Sequence, residues 1–399
     1  MFPNKRNIQQ GIFVWELAKA LQNQGQDVRV ASVEPVLVWP LCRLKRYRRE
    51  VALSKIPEYD PLIRYEVKQF PRNAGLLYMY KRWGNVLADK IKTAWPGWYP
   101  QIVHSHALIP GALIGEFYCK KHRLVHIATS HGADTRVHIY RHKTRKAIRR
   151  MLSEGLCVAG VGQPIVDALT PFAKTSGQIK CIYNGMDISK LCPANTLLRQ
   201  RYHGRKLILA MGNLIKTKGF DLLIKGFSIL SDEFPQWDVA IVGGGPQSDE
   251  LKKTADQLNL GGRVSFTGPL PSSQAMEWMD LCDIFCLPSW SEGLGVVYLE
   301  AMACSKPIIG VAGQGIDAVI REYATGLLVE PKNIQSVVSA LRHLMVNESL
   351  RIEMGAKGKK IVFEKFTWAS CAQEYMLFYR DIIQRKLGNN QCFNENVQV

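Results

Sequence analysis

Short apolar runs alternate with amphipathic stretches along almost all of this 399-residue chain, and that alternation restricts the fold more than any other feature. Lys206 to Met211 reads Lys-Leu-Ile-Leu-Ala-Met, and Trp237 to Val242 is nearly as apolar. Runs without a polar face are what strands look like when both sides of a parallel sheet are covered. Helical stretches separate these runs, and strand–helix–strand repeats build doubly wound sheets. The expected fold class is therefore α/β, with two doubly wound parallel-sheet (Rossmann-like) domains facing across a cleft. The length suits about two domains, each with its own core.

The junction from Pro288 to Ala303, Pro-Ser-Trp-Ser-Glu-Gly-Leu-Gly-Val-Val-Tyr-Leu-Glu-Ala-Met-Ala, carries the densest chemistry. The strand Asp283 to Leu287 enters it and a helix leaves it. Ligands of parallel sheets bind outside the carboxyl ends of the strands. Gly293 and Gly295 flank Leu294 and let the backbone approach a ligand closely. The N–H groups near Leu294, Gly295 and Val296 open the helix and suit a phosphate. Two carboxylates, Glu292 and Glu300, bracket the turn with seven residues between them.

That spacing, with Pro288-Ser289 before it and Glu300-Ala301-Met302-Ala303-Cys304-Ser305-Lys306-Pro307 after it, resembles the signature of retaining family 4 glycosyltransferases, which have the GT-B fold. The resemblance implies that Glu292 contacts the donor sugar and Glu300 holds the ribose of the nucleotide. Other motifs fall in the family's order, from Gly11 to about Arg385. His131-Gly132-Ala133-Asp134 resembles the family's His-Gly-Ser-Asp loop, which places His131 near the reacting sugar and Asp134 near the acceptor cleft. Tyr183-Asn184-Gly185-Met186-Asp187 is similar to the turn at the domain joint. Gly212, Asn213 and Lys218 match the segment that binds the donor pyrophosphate. Asn213 stands where the family commonly has Arg, and Lys216 is a nearby replacement for that charge. The turn Gly243-Gly244-Gly245 is expected to let the backbone skirt the donor, with Gly244 among the donor contacts. It lacks the full Gly-x-Gly-x-x-Gly of a dinucleotide site. Phe266, in Val264 to Gly268, falls in the segment that lines the nucleobase pocket.

The implied domains are residues 1–190 for the acceptor, 191–367 for the nucleotide-sugar donor, and a closing helix, 368–388, that crosses back to the first. Leu191 to His203 reads as a linker region. In the family a glycine-rich turn facing the donor phosphates joins the first strand to the first helix. Here Gly11 is its one glycine, and Met1 falls where that strand should be ending. The natural chain is accordingly expected to begin upstream, or to be truncated in this version.

Charge separates the halves. Residues 1–190 hold 30 Lys/Arg against 13 Asp/Glu, and residues 191–399 hold 22 against 21. An anionic partner is expected for the first half alone. Basic residues are interleaved with aromatics at Arg43 to Arg49, Tyr78 to Trp83 and Tyr140 to Arg150, which favours an anionic membrane surface. The helical stretch Leu76 to Ile91 also reads as a core-packing helix, the reading its apolar spacing favours. No apolar run is long enough to cross a bilayer, and the polar N-terminus does not read as a signal peptide, so none is expected. The ten cysteines form no Cys-x-x-Cys pair and read as reduced residues of a cytoplasmic enzyme. His104 and His106 share a strand face, but two histidines without further ligands make a poor metal site.

The expectation is thus a retaining glycosyltransferase at the inner face of the membrane. It would move a sugar from a UDP- or GDP-sugar to a polysaccharide or lipid-linked acceptor in cell-surface glycan synthesis. No Asp-x-Asp occurs, so neither a bridging metal nor a cofactor is expected. Three other classes fit less well. A GT-B epimerase lacks the context of Glu292 and Glu300, and a phosphorylase needs a pyridoxal lysine motif. A nucleic-acid or phospholipid-binding protein explains the basic half but not Lys218, Glu292 and Glu300 in a nearly neutral one. Nucleic acid is therefore not expected as a partner.

Overall fold

A computed structural model describes residues 11–37, 62–69 and 76–387 of the protein. Two compact units emerge. One holds the described residues through Val161, then Ile165–Ile182 and the closing segment from Trp368; the other holds Gly162–Pro164 and Tyr183–Thr367.

In the first unit, β1 (Val30–Leu37) pairs in parallel with β2 (Leu62–Gln69). A separate parallel sheet runs β3 (Ile102–His106), β4 (Val125–Ser130), β5 (Cys157–Gly160) and β6 (Ile179–Cys181), in that order. Side chains alternate across a strand, so each strand feeds two cores. Ala128 and Val158 pack on one face with Trp83, Leu87 and Ile91 from helix Leu76–Ala94. That helix is core-packing among its described side chains. Ile127 and Ala159 pack on the other face with Leu17 and Leu21 of helix Ile12–Asn23. The same face takes Tyr375, Phe378 and Tyr379 of helix Trp368–Leu387, so the closing helix belongs to the first unit. Met1–Gln10, where the strand before Gly11 was expected to end, and the basic run Arg43 to Arg49 lie outside the described residues.

The second unit is a six-stranded parallel sheet. Its strands are β7 (Lys206–Met211), β8 (Trp237–Val242), β9 (Val264–Gly268), β10 (Ile284–Cys286), β11 (Ile308–Val311) and β12 (Gly326–Val329). They lie in the order β12-β11-β10-β7-β8-β9. Leu207, Ile208, Leu209 and Ala210 of β7 are buried, as a central parallel strand requires. Burying side chains as large as Trp237, Phe285 and Tyr298 contributes about 1.5–3 kcal/mol each.

The expected linker is not one. Within it, helix Thr196–Arg201 is capped by Asn195, whose Oδ1 accepts from the Leu198 N–H at 2.9 Å. Leu191, Cys192, Leu198 and Tyr202 pack against the second core. The division between units falls earlier, between Ile182 and Tyr183.

Candidate active site

The sheet order of the second unit marks a site before any side chain is considered. From β7 the chain runs to β8 and β9, then returns to place β10 on the other side of β7. Such a reversal opens a crevice at the carboxyl ends of the two central strands. The loop after β7 brings Lys218 to it, and the loop after β10 brings Glu292.

These loops are stitched together. The Trp290 N–H donates to the Thr217 carbonyl at 3.0 Å. Ser289 Oγ lies 3.1 Å from both that carbonyl and Glu292 Oε2. Lys218 Nζ donates to Glu292 Oε2 at 2.5 Å, with the two side chains 18% and 14% exposed. Lys218 ends a 3-10 turn, and Gly219 follows at φ 73°, where a Cβ would stand 2.3 Å from the Pro288 carbonyl oxygen. Lys216 is exposed at the start of the same turn, and Asn213 is exposed just before it.

A third loop, after β11, completes the arrangement. Gln314 Oε1 accepts from the Glu292 N–H at 3.0 Å. Gly315 is pressed so tightly on the Gly293 carbonyl that a Cβ there would lie 1.7 Å from its oxygen. Sequence alone assigns Ser289 no role beyond its place in the motif and does not mark Gln314, since their roles arise from contacts between loops.

Gly295, at φ 81°, caps helix Val296–Ala303 and accepts from the Tyr298 N–H at 2.9 Å, while the Val296 and Val297 N–H groups precede the first intrahelical bond. Leu294 itself is a core side chain, only 3% exposed, so its contribution to a ligand is limited to backbone. The fully buried Tyr298 donates its hydroxyl to the Leu287 carbonyl at 2.5 Å and ties this helix to the strand end. Glu300 sits in the second turn, partly buried. Burial holds its carboxyl above the ordinary range, Lys190 pulls the other way, and no described residue hydrogen-bonds it. It is a carboxylate to which the described residues supply no donor.

The glycines after β8 have a packing cause. A Cβ on Gly243 would fall 1.9 Å from the Gly212 carbonyl oxygen, and the Leu214 N–H donates to the Gly244 carbonyl at 3.0 Å. The two turns press on each other. Phe266, on β9, packs against the edge of the core.

In the first unit, Gly11 is buried at φ 68° and caps helix Ile12–Asn23. Phe13 of that helix packs on the ring of His131, at the end of β4, with centroids 4.0 Å apart. His131 Nδ1 is buried without a hydrogen-bond partner among the described residues. Burial pushes His131 down to about 3, with His104 adding to the effect, so the ring is neutral.

Asp134, expected beside the acceptor cleft, is instead fully buried. Its Oδ2 accepts from the Leu108 N–H at 3.1 Å and from Ser130 Oγ at 3.0 Å, and its Oδ1 from the Ile109 N–H at 3.1 Å. A carboxylate spent on three protein donors ties two loops together and presents nothing to a ligand. Burial still raises its pKa against those bonds.

Comparison with known proteins accords with this geometry. Residues 10–190 match the family described as Glycosyltransferase Family 4, and residues 199–361 the one described as Glycosyl transferases group 1. The chain is 26% identical over 290 residues to a GDP-mannose-dependent alpha-(1-6)-phosphatidylinositol monomannoside mannosyltransferase of Mycolicibacterium smegmatis. That alignment covers 70% of this chain and 73% of the relative. The chain spans about half, 54%, of several other curated relatives. A solved glycosyltransferase from Rickettsia africae has the same fold, with TM-score 0.73 at 18% identity over 95% of both chains. So does Anabaena HepE in complex with UDP and glucose, with TM-score 0.68 at 16% identity over 93% of this chain and 95% of that one. The fold is GT-B, a class of two parallel-sheet α/β domains. Within it, the chain belongs to the family 4 glycosyltransferases.

Proposed function

We propose that this glycosyltransferase moves a sugar, with retention of configuration, from a UDP- or GDP-sugar to a glycan or lipid-linked acceptor in cell-surface glycan synthesis. The carrying observation is the Lys218–Glu292 pair at the switch point, beside a helix N-terminus and Glu300, whose carboxyl accepts from no described residue. The leaving diphosphate needs fixed positive charge in a place from which water is excluded. Lys218 and the first-turn N–H groups of helix Val296–Ala303 supply it. A donor entering this crevice takes Lys218 from Glu292 as its phosphates arrive, and frees Glu292 to accept from sugar hydroxyls. Glu300 then receives the ribose hydroxyls. His131 is the residue of the first unit assigned to substrate. The reading needs neither cofactor nor bridging metal, because the charge neutralisation is assigned to groups of the chain itself. The relative named for GDP-mannose and the neighbour solved with UDP and glucose support both donor classes.

The acceptor reading adds an anionic membrane surface at the cytoplasmic side. Its support is an exposed basic face on helix His142–Ser153 and the turn before it. Arg141, Lys143, Arg145, Lys146 and Arg149 are exposed there, beside Tyr140 at 81% exposure, and no acid occurs between Thr135 and Ser153. No described helix is long and apolar enough to cross a membrane. Near an anionic leaflet each such cation contributes about 1 kcal/mol.

The test is product analysis. Incubation with UDP- and GDP-sugars should release the nucleoside diphosphate, and NMR of the first-formed product should show the donor's anomeric configuration. Inverted product sinks the retaining assignment. Failure to cleave any donor of either class, by protein that is folded, sinks the donor reading.

A further inference from the structure

His106 takes no part in the chemistry assigned above, yet it is the one side chain hydrogen-bonded to His131 among the described residues. Its Nδ1 lies 3.0 Å from His131 Nε2, and the two rings are within 17° of parallel. We propose that His106 is a positioning residue that fixes the ring plane and tautomer of His131, so that its Nδ1 has one defined donor or acceptor character. The proposal rests on the assignment of His131 as the residue of the first unit that meets substrate.

Proton bookkeeping gives the reason. A neutral imidazole has one N–H and one bare nitrogen. Burial pushes His106 well below its ordinary range, and His131 down to about 3, so both rings are neutral. A single proton then serves the bond between them. If His131 Nε2 carries it, His131 Nδ1 is an acceptor; if His106 Nδ1 carries it, His131 Nδ1 is a donor. The character of the unpartnered Nδ1 is therefore set by the pair together.

The surroundings hold His106 as a support is held. His104 stacks on it with centroids 4.4 Å apart. His104 in turn bonds Tyr379 Oη at 2.7 Å and Thr129 Oγ1 at 2.6 Å, and Thr129 bonds Tyr375 Oη at 2.8 Å. Both tyrosines come from the closing helix Trp368–Leu387. The buried Asp134 clamps the backbone just after His106 (Leu108, Ile109) to Ser130, just before His131. Gly111 leaves no room for a Cβ, which would lie 2.1 Å from the His106 carbonyl oxygen. A supporting shell locked to this degree is what fixes a reacting group's geometry.

The test compares His106→Asn with His106→Gln. Asn carries its amide where Nδ1 stands and keeps a partner for His131; Gln carries it where Nε2 stands and does not. Long-range nitrogen–proton NMR of histidine-labelled, ligand-free protein reads the His131 ring, identified by its loss in His131→Gln. The native protein and His106→Asn should show a hydrogen-bonded Nε2, and His106→Gln should lose it. With UDP-glucose or GDP-mannose, whichever is cleaved, kcat should fall roughly tenfold to a hundredfold in His106→Gln. It should stay near native in His106→Asn, with donor KM little changed in either. Asn and Gln variants that behave alike, in spectrum and in kcat, overturn the proposal. A fully active His131→Gln defeats the substrate assignment of His131 instead, and leaves the spectral result to stand on its own.

Discussion

Glu300→Gln is predicted to make the protein more stable and its donor binding weaker, two effects of opposite sign from one atom change. The carboxylate is partly buried, burial raises its pKa, and no described residue donates to it. A buried polar group without a partner costs about 1–3 kcal/mol, and the charge is the larger part of that cost. Removing the charge at nearly constant volume should recover about 1 kcal/mol, which for a unit of this size is about 2–4 °C in Tm. The pH dependence follows from the direction of the shift. A carboxyl that ionises less readily in the fold weakens the fold when ionised, so the gain from Gln is full near about pH 8. It vanishes below the ordinary carboxylate range, near about pH 3, where both states are protonated. Ribose hydroxyls that donate to the native carboxylate form charge-assisted bonds worth about 1.5–3 kcal/mol, so Kd for the nucleotide should rise roughly 10- to 150-fold. Thermal unfolding across that pH range and calorimetry with UDP and GDP read the two effects. A variant that melts lower than native while binding nucleotide equally well refutes the reasoning.

Gly315→Ala should cost about 1–3 kcal/mol and depress donor cleavage, because its Cβ falls on the Gly293 carbonyl and the loop holding Glu292 must shift; native melting and native turnover together would refute this. The first unit should lose stability as pH falls below about 6.5, since burial holds His104 and His131 near about 3 and His126 near about 4, and the unfolded chain takes up protons that the fold refuses. The loss approaches about 1.4 kcal/mol per group per pH unit, and a Tm that is flat from about pH 7 to about pH 5 contradicts it. Liposome co-sedimentation should show binding to anionic but not neutral vesicles. Combining Arg141→Gln, Lys143→Gln, Arg145→Gln and Lys146→Gln should weaken it by several of the roughly 1 kcal/mol increments, while equal partitioning into both vesicle types removes the membrane reading.

The strands of the second unit were the easiest part of the fold to read. Parallel strands buried on both faces are written as apolar runs, and Lys206–Met211 and Trp237–Val242 appear in the structure with the bounds their composition suggested. Strand Leu62–Gln69 was missed, because Leu-Ile-Arg-Tyr-Glu-Val-Lys-Gln alternates charges with apolar residues beside a basic, turn-rich stretch. Helix Thr196–Arg201 reads as linker in the sequence, because its few apolar residues acquire meaning only from the core they meet. At the candidate site, Lys218, Glu292 and Glu300 stand out in the sequence as candidates because each lies in a local motif. Asp134 was legible as a position but not as a role, since a sequence does not show whether a carboxylate faces a cleft or a backbone. Gln314 and His106 were not legible at all as contributors. Their partners, Glu292 and His131, are distant in sequence, and only the folded loops bring them together.

The crevice between β7 and β10 is proposed to bind the diphosphate of a nucleotide-sugar through Lys218. Calorimetric titration of UDP and GDP into the native protein and into Lys218→Met tests it most directly. The substitution leaves the partly buried Glu292 without its cation, so unfolding is measured alongside, and a destabilisation of about 1–3 kcal/mol is expected from the lost charge-assisted bond. At a temperature where both proteins are folded, the native chain should bind at least one of the two nucleotides. Lys218→Met should bind that nucleotide roughly tenfold to a hundredfold more weakly. Equal affinity in the two proteins, or no binding of either nucleotide by the native chain, contradicts the account.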